Sequence, residues 1–191
     1  MALYKTVLVT GASAGFGFAI CEKLASQGYK VIATARRQDK LDALANKYEG
    51  QIFPLKLDVT DTEAVDSILD KLPDEFKNID VLVNNAGLAL GQDKAFTYSL
   101  KDWYTMVNTN IKGLLNITHK LLPLMVKKNK GYIINLGSTA GAWPYTGGNV
   151  YGGTKAFVEQ FSRNLRCDLA GTALKVTVIK PGLCSNTEFS N

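Results

Sequence analysis

Tyr151 and Lys155 lie four residues apart in the segment YGGTK, and Ser138 precedes them. On a helix, residues i and i+4 lie one above the other, so the Lys155 ammonium is predicted to lie beside the Tyr151 ring. A free phenol has a pKa of about 10, and a nearby cation favours the phenolate and lowers that pKa. Such a tyrosine can give or take a proton near neutral pH. The same spacing also occurs by chance on ordinary helices, so the rest of the chain must decide between the two interpretations.

A glycine-rich turn, GASAGFG, follows the first predicted strand, Thr6–Thr10, and precedes a helix predicted over residues 18–27. Glycines let the backbone approach a pyrophosphate, which the free N–H groups and the dipole of a helix N-terminus attract. The spacing differs from the G-x-G-x-x-G pattern of other dinucleotide-binding turns, and a glycine turn alone is a weak signal. The predicted cofactor contacts in this turn are Gly11, Ser13, Gly15, Phe16 and Gly17.

Arg36 and Arg37 directly follow the second predicted strand, Lys30–Ala35. At this position an acidic residue would bind the 2′-hydroxyl of NAD, whereas arginine suits the 2′-phosphate of NADP. Asp39 lies close enough to complicate the choice, although its position before an apolar helical pattern fits a helix-start residue better. The sequence therefore predicts NADP, with Arg36 and Arg37 as cofactor contacts.

The third and fourth predicted strands, residues 51–57 and 80–83, end in further candidate contacts. Asp58 can accept a hydrogen bond from an adenine amino group, or else Asp58 or Asp61 caps the helix predicted over residues 62–72. The fourth strand runs into the segment NNAG, and small and amide residues are expected where a ligand crosses a sheet edge. The predicted cofactor contacts here are Asp58, Val59, Asn85, Ala86 and Gly87.

A long helix is predicted over residues 99–127, interrupted at residues 108–110. Its apolar residues cover more than one stripe, so we expect it to pack on the sheet and also on a partner subunit. A homo-oligomer, either a dimer or a homotetramer, formed through residues 99–127 and 151–170 is therefore predicted. Asn110 would be buried in this helix and needs hydrogen-bond partners, so it is either structural or part of a water relay.

An aromatic loop, Trp143-Pro144-Tyr145, lies between the fifth predicted strand, Tyr132–Leu136, and the helix predicted over residues 151–170. Such a loop can wall a small-substrate pocket, or its rings can simply pack beneath the loop. A sixth strand is predicted at Lys175–Ile179. The alternation of strand and helix predicts an α/β doubly wound parallel sheet, a single domain over residues 1–191, and a site along the carboxyl ends of the strands.

Composition excludes several classes of protein. The apolar fraction of 46% and charged fraction of 20% are globular values, and the chain has neither an apolar run of about 18 residues nor a signal-peptide pattern. We therefore expect a soluble cytoplasmic protein that does not bind membranes. Cys21, Cys167 and Cys184 lack a C-x-x-C spacing, and a single histidine, His119, excludes a multi-histidine metal site.

The net charge of +5 raises the question of nucleic-acid binding. The dense basic cluster, residues 127–130, lies where a predicted helix ends, and cations there complement the helix dipole. No aromatic residues interleave with this cluster as a base-stacking surface would need. The sequence therefore predicts no nucleic-acid partner.

Five motifs in order carry a resemblance to the short-chain dehydrogenase/reductase family over the whole chain. They are TGASAGFG at 10–17, Asp58, NNAG at 84–87, Ser138 and YGGTK at 151–155. The resemblance implies that Tyr151 is the general acid in carbonyl reduction and the base in alcohol oxidation, while Ser138 hydrogen-bonds the reacting oxygen. It also implies that Lys155 holds the nicotinamide ribose and lowers the tyrosine pKa, and that Asn110 supports a proton-relay water.

A narrower resemblance to bacterial NADP-dependent 3-hydroxy acid dehydrogenases rests on NNAGLALG, GSTAGAWPY, GGNVYGGTKAF, and PGL with TEFSN. It implies transfer of a hydride between NADP(H) and the C3 position of a small hydroxy acid such as serine, allo-threonine or 3-hydroxypropionate. The implied substrate contacts are Ser138, Trp143, Tyr145 and Tyr151. The further implied cofactor contacts are Tyr151, Lys155, Pro181, Gly182 and Thr187. Residues 183–186, LCSN, depart from the apolar or glycine-rich insert expected there.

Two other functions remain open. A 3-oxoacyl thioester reductase of the same family would need a basic docking face for an acidic carrier, and the sequence does not localise one. A non-catalytic dinucleotide-binding relative would not need Ser138, Tyr151, Lys155 and Asn110 together. The resemblance also implies several tens of residues after Asn191, including lid helices and a seventh edge strand. The expectation is that the 191 residues are the ordered part of a longer polypeptide or a truncated record.

Overall fold

A six-stranded, all-parallel sheet with helices on both faces forms the fold in the computed structural model, which describes residues 4–182. The strands are β1 (Thr6–Thr10), β2 (Lys30–Ala35), β3 (Ile52–Lys56), β4 (Val81–Asn84), β5 (Tyr132–Leu136) and β6 (Lys175–Ile179). The α-helices are α1 (Gly15–Ser26), α2 (Gln38–Lys47), α3 (Thr62–Asp66), α4 (Leu100–Val107), α5 (Leu114–Lys127) and α6 (Asn149–Asp168). Short 3₁₀ helices span Ile68–Lys71, Asp74–Phe76 and Thr139–Gly141.

The strand order is β3-β2-β1-β4-β5-β6, so the chain moves outward from the centre twice, in opposite directions. The order reverses between β1 and β4, and the loops that leave these two strands diverge there. Ligands of such sheets bind in the crevice outside the carboxyl ends of the strands at this switch point. The predicted doubly wound α/β fold is confirmed. The seventh strand that the resemblance implies would follow Asn191 and stays a prediction, as does the single domain over 1–191.

Two apolar layers cover the two faces of the sheet. Because successive strand residues point to opposite faces, Leu8 packs with Ile117 and Leu121 of α5, whereas Val7 and Val9 belong to the layer that contains α1 and α2. β3 pairs only with β2, which makes it an edge strand. The edge position explains why Pro54 is tolerated within β3. No helix between residues 4 and 182 has the length and apolarity needed to cross a membrane.

The long helix continues through residues 108–110, where the sequence predicted an interruption. A π-helical segment, Asn108–Gly113, joins α4 to α5, and the backbone stays helical at Val107 and Gly113. A π segment inserts one residue into a helix and rotates the side chains that follow it. The predicted interruption at residues 108–110 is therefore a local change of helix type, and it lies where Asn110 faces the interior.

The helix predicted over residues 62–72 is the clearest difference from the sequence interpretation. α3 ends at Asp66, and a 3₁₀ helix replaces its second half. The Ser67 hydroxyl donates to the carbonyl of Glu63 at 3.1 Å and to that of Ala64 at 3.2 Å. A serine that bonds back to the preceding turn competes with the helix and bends it. The other predicted helix boundaries differ by a few residues, as at α1, which begins at Gly15 rather than residue 18.

The basic cluster at residues 127–130 has a structural role. Lys128 and Lys130 approach Asp80 Oδ1 at 3.3 Å and 2.9 Å. The Asp80 carboxylate is 1% exposed and also accepts the backbone N–H of Lys5 at 2.8 Å. Burial opposes its charge, and these donors together hold the pKa of Asp80 below its ordinary value. The two lysines thus neutralise a buried carboxylate at the base of the sheet.

Candidate active site

A cavity of about 1130 Å³ runs along the carboxyl ends of the strands, across the switch point between β1 and β4. The predicted site residues that line it are Gly11, Ser13, Gly15, Phe16, Arg36, Arg37, Asp58, Val59, Asn85, Ala86, Gly87, Ser138, Trp143, Tyr145, Tyr151, Lys155, Pro181 and Gly182. Gly17 and Asn110 are not among the lining residues, and Thr187 lies outside the described residues.

The glycine turn after β1 forms one wall of this cavity. Gly11 and Gly15 have φ values of +69° and +54°, a region that side-chain-bearing residues seldom adopt. The Asn85 amide holds the turn by donating to the carbonyls of Thr10 at 2.9 Å and Gly11 at 3.2 Å. α1 begins after Ala14, which makes no side-chain cap, and its first turn contains no acidic residue. The N–H groups of that turn therefore remain for an anion in the cavity.

Gly17 does not line the cavity, and its predicted contact with the cofactor stays a prediction. A Cβ on Gly17 would overlap the carbonyl oxygen of Gly11 and the amide nitrogen of Asn85. The residue is buried and lies behind the turn. Its missing side chain lets α1 pack against the turn, so Gly17 shapes the cavity wall from behind.

The two arginines line the far end of the cavity, next to the glycine turn. Arg37 donates from Nε and Nη2 to Ser13 Oγ at 3.2 Å and 3.0 Å. Arg36 lines the same region, and both arginines are exposed to solvent. Asp39 belongs to the first turn of α2 and does not line the cavity. Positive charge therefore dominates this end of the cavity.

Asp58 and Val59 lie at the end of β3 and are held by side-chain hydrogen bonds. Asp58 Oδ1 accepts the N–H and hydroxyl of Thr60 at 2.9 Å and 2.8 Å. Asp61, the alternative cap of α3, accepts the N–H of Ala64 at 3.0 Å. The carbonyl of Val59 accepts a hydrogen bond from the Asn116 amide at 2.9 Å. Of the two open interpretations, helix capping therefore belongs to Asp61 and leaves Asp58 on the cavity wall.

Ser138, Tyr151 and Lys155 come together at the opposite end of the cavity. Ser138 follows β5 and hydrogen-bonds the Tyr151 hydroxyl. Lys155 Nζ lies 5.8 Å from the centre of the Tyr151 ring and donates to the carbonyl of Leu136 at 2.8 Å. Lys155 is 5% exposed, so a cation is held almost entirely within the protein beside the phenol.

The pKa values of Tyr151 and Lys155 are governed by burial. Burial raises the pKa of Tyr151, while the hydrogen bond from Ser138 lowers it and the Tyr145 phenol raises it. The net shift is upward, whereas the sequence predicted a lowered pKa for Tyr151, because burial outweighs the hydrogen bond from Ser138. That Lys155 lowers this pKa stays a prediction. Burial lowers the pKa of Lys155 from 10.5 to about 8. The lysine is therefore mainly protonated at neutral pH, and the phenol is neutral.

Asn110 lies behind the cavity wall and is 2% exposed. Its Nδ2 donates to the carbonyl of Leu88 at 2.9 Å and to Thr154 Oγ1 at 3.0 Å, and its Oδ1 accepts the N–H of Leu88 at 2.9 Å. The side chain therefore fastens the loop after β4 to α6, which is the structural interpretation left open above. The proton-relay water that the resemblance implies stays a prediction.

Trp143 and Tyr145 line the cavity next to Ser138. Their exposed fractions, 73% and 49%, exclude rings packed beneath a loop. They are therefore available at the cavity surface. The neutral residues Leu88, Gln92, Thr105 and Thr139 also line this end, and the sequence analysis did not identify them.

Two buried threonines that position the site were also missed. Thr10 Oγ1 accepts the N–H groups of Asn85 and Ala86 at 3.1 Å and 3.0 Å, which joins the ends of β1 and β4. Thr154 accepts from Asn110 and donates to the carbonyl of Tyr151 at 2.8 Å. Both threonines are next to or within motifs that the sequence shows, namely the glycine turn and YGGTK. The sequence does not reveal their roles, because Asn85, Ala86 and Asn110 are distant from them along the chain.

Comparisons with known proteins agree with this geometry. The family profile described as short chain dehydrogenase matches residues 5–191. The NADP-dependent 3-hydroxy acid dehydrogenase YdfG of Escherichia coli (strain K12) is 57% identical over 185 residues, which are 97% of this chain and 75% of that protein. The serine 3-dehydrogenase of Agrobacterium fabrum is 54% identical over 97% of this chain and 74% of its own length.

A solved structure described as the closed form of serine dehydrogenase complexed with NADP⁺ superposes with a TM-score of 0.95. It is 56% identical in sequence and matches over 96% of this chain and 74% of its own. The serine dehydrogenase of Escherichia coli superposes with a TM-score of 0.92 at 57% identity, over 93% of this chain and 82% of its own. The sheet order, the cavity at the switch point and these matches agree, and the chain belongs to the short-chain dehydrogenase family.

Proposed function

We propose that this protein is an oxidoreductase that transfers a hydride between NADP(H) and the C3 position of a small 3-hydroxy acid, in the class of serine, allo-threonine and 3-hydroxypropionate. The observation that carries the proposal is the Tyr151 hydroxyl, hydrogen-bonded by Ser138 at a cavity whose far end is lined by Arg36 and Arg37. Relatives named as NADP-dependent 3-hydroxy acid dehydrogenase and serine 3-dehydrogenase support the substrate class.

Tyr151 is the group that moves the proton in this mechanism. In carbonyl reduction the neutral phenol donates its proton to the oxygen that develops negative charge as hydride reaches the carbon. In alcohol oxidation the phenolate accepts the hydroxyl proton while hydride leaves C3 with the bonding electron pair, and the C–O bond becomes a carbonyl. Since burial raises the pKa of Tyr151, the neutral acid dominates at neutral pH. Oxidation should therefore accelerate as pH rises toward that pKa.

Ser138 and Lys155 assist the proton transfer at two different oxygens, that of the substrate and that of Tyr151. The Ser138 hydroxyl, next to the phenol, can donate a hydrogen bond to the reacting oxygen in the cavity. Lys155 keeps a positive charge close to Tyr151 and stabilises the phenolate when it forms. Its Nζ is anchored by the carbonyl of Leu136 at 2.8 Å, which limits the positions that the ammonium can take. Both groups are therefore positioned before a substrate arrives.

The residues present fit a dinucleotide with a 2′-phosphate. The uncapped first turn of α1 and the glycine turn suit a pyrophosphate, and Arg36 and Arg37 suit the additional phosphate. Asp58 uses only Oδ1 for Thr60, which leaves Oδ2 for an adenine amino group. NADP(H), when bound, supplies the hydride donor or acceptor. Cofactor roles for Pro181, Gly182 and Thr187 rest on the resemblance and form part of the proposal.

An assay with a substrate panel tests the proposed function. Reduction of NADP⁺ is expected with L-serine, L-allo-threonine or 3-hydroxypropionate, followed by NADPH absorbance, with NAD⁺ as the comparison cofactor. In the reverse direction, a 3-oxoacyl thioester tests the alternative substrate class. NADPH oxidation with the thioester, and no activity with any hydroxy acid, would contradict the proposed substrate. Absence of activity in both directions would contradict the catalytic proposal itself.

Replacing Arg36 and Arg37 together by glutamine is expected to weaken NADP⁺ binding far more than NAD⁺ binding. Charge-assisted hydrogen bonds to a phosphate contribute about 1.5–3 kcal/mol each, so the preference for NADP⁺ should fall tenfold or more. Dissociation constants for both cofactors, measured by calorimetry, give the ratio directly. Lys40→Gln, an exposed residue of α2 outside the cavity, is the matched control for loss of positive charge. Equal losses for the two cofactors would contradict the assignment.

We also propose that the protein forms a homo-oligomer through α4, α5 and α6. Helices α4 and α5 expose several large apolar side chains, namely Leu100, Tyr104, Val107, Leu115, Leu124 and Val126. Exposed apolar residues on helices are typical of subunit contacts. Sedimentation measurements are expected to give a dimer or larger assembly, and Tyr104→Glu with Leu115→Glu is expected to reduce its size. A wild-type monomer would contradict this proposal.

A cytoplasmic location is proposed on the state of the cysteines. Cys21 and Cys167 are both free thiols, and Cys21 is buried. Free thiols are typical of proteins in a reducing compartment. Cell fractionation with an antibody against the protein would test the location.

A further inference from the structure

Two glycines allow the turn after Ser138 to lie directly against the backbone of α6. A Cβ on Gly141 would lie 2.7 Å from the carbonyl carbon of Lys155 and 2.8 Å from the nitrogen of Ala156. On the helix side, a Cβ on Gly152 would lie 2.9 Å from the carbonyl oxygen of Ala140. Every one of these neighbours is a backbone atom, so no side chain can swing aside to make room.

Two hydrogen bonds fix Ser138 to this turn. Ser138 Oγ accepts the N–H of Ala140 at 3.1 Å, and the carbonyl of Ser138 accepts the N–H of Gly141 at 3.2 Å. Ser138 is the N-cap of this short 3₁₀ turn, and Tyr151 directly precedes Gly152 on α6. A displacement of the turn away from α6 would therefore separate the Ser138 hydroxyl from the Tyr151 hydroxyl. The distance between turn and helix sets the distance between the two hydroxyl groups.

We propose that Gly152 and Gly141 are positioning residues that keep the Ser138 turn close enough to α6 for the Ser138 hydroxyl to reach Tyr151. Neither residue lines the cavity, so they act through Ser138 and not by touching a substrate or cofactor. The inference rests on the proposed function, because it assigns Ser138 and Tyr151 to the reaction.

A pH profile distinguishes positioning from a purely structural role. The polar groups next to the Tyr151 side chain are Lys155 from α6, Tyr145 from the aromatic loop and Ser138 from the turn. Ser138 lowers the pKa of Tyr151, whereas burial and Tyr145 raise it. Losing the Ser138 contact therefore raises the pKa further. Oxidation needs the phenolate, so its rate profile would move to higher pH.

Gly152→Ala and Gly153→Ala form a matched pair on adjacent residues of α6. Gly153 is exposed, and no heavy atom lies within 4 Å of a Cβ built on it. Both substitutions favour the helix equally, so only the contact with Ala140 distinguishes them. Gly152→Ala is expected to lower kcat roughly tenfold, since small misplacements of reacting groups are costly, and to shift the pH profile to higher pH. Gly153→Ala is expected to keep the wild-type kcat and profile.

A double-mutant cycle with Ser138→Ala completes the test, because an effect transmitted through Ser138 should disappear when Ser138 is absent. Equal kcat losses from Gly152→Ala in both backgrounds would overturn the proposal, as would a wild-type pH profile or an unfolded Gly152→Ala protein by circular dichroism. A wild-type protein that oxidises none of the hydroxy acids would contradict the proposed function alone. Tyrosinate absorbance, corrected with Tyr151→Phe, would then still compare the Tyr151 pKa of the two alanine variants.

Discussion

Replacing Tyr151 by phenylalanine is expected to lower kcat for hydroxy acid oxidation by about 10²–10⁴, the factor that general acid–base catalysis supplies. The phenylalanine ring keeps the half-buried contacts of the tyrosine ring but has no proton to give or take. The hydroxyl that it removes lies away from the glycine turn and the arginines, so NADP⁺ affinity should stay nearly unchanged. Steady-state kinetics with a C3-deuterated substrate would establish that the chemical step limits the measured rate.

Tyr145→Phe is the control for losing a phenol from the same cavity wall. Tyr145 is about half exposed and lines the cavity without contacting Ser138 in the described hydrogen bonds. Its loss should raise KM more than it lowers kcat, because a substrate contact contributes to ground-state binding as well. A Tyr151→Phe protein that retained more than roughly a tenth of the wild-type rate, in a chemistry-limited assay, would exclude Tyr151 as the acid and base.

Most of the fold was predictable because its signals are local. β1, β2, β5 and β6 have the predicted bounds, since each is a short apolar run that ends at a glycine, an arginine or a proline. The helix predicted over residues 62–72 was wrong in length because a side-chain hydrogen bond ends it early. Ser67 bonds to the carbonyls of Glu63 and Ala64 and ends the regular helix early, and no composition or periodicity signal reports such a bond.

The site residues were predictable as motifs, but the contacts that hold them were not. Tyr151 and Lys155 share a helix, so their proximity follows from spacing alone. Asn110 reaches Thr154 and Leu88 only because the π segment, α6 and the loop after β4 meet in the folded chain. The predicted direction of the Tyr151 pKa shift was wrong because it also depends on the folded structure. The sequence identifies the cation nearby but gives no measure of burial, which is the larger effect here.

Replacing Lys155 by methionine is expected to remove most activity while leaving the protein at least as stable at neutral pH. Without the ammonium, the phenolate of Tyr151 loses its neighbouring cation, and kcat for oxidation should fall by about 10² or more. Burying a charged lysine opposes folding, and its lowered pKa corresponds to roughly 3 kcal/mol. Methionine has a similar length and no charge. The variant therefore avoids the cost of burying a charge. In the opposite direction, the carbonyl of Leu136 loses its hydrogen-bond donor, which costs about 1–3 kcal/mol of stability.

The stability difference between the two proteins should depend on pH in a direction that follows from linkage. The folded-state pKa of Lys155 is about 8 and its ordinary value is 10.5, so between these values the unfolded chain binds more protons. Wild-type stability attributable to this group therefore rises with pH across that window, and the burial penalty is fully present below it. Urea unfolding should accordingly give the methionine variant its largest relative stability at neutral pH and a smaller one near pH 10. Lys101→Met, at an exposed residue of α4, is the control for replacing a lysine by methionine outside the cavity. A Lys155→Met protein whose stability relative to wild type increased with pH would contradict a buried, charged Lys155.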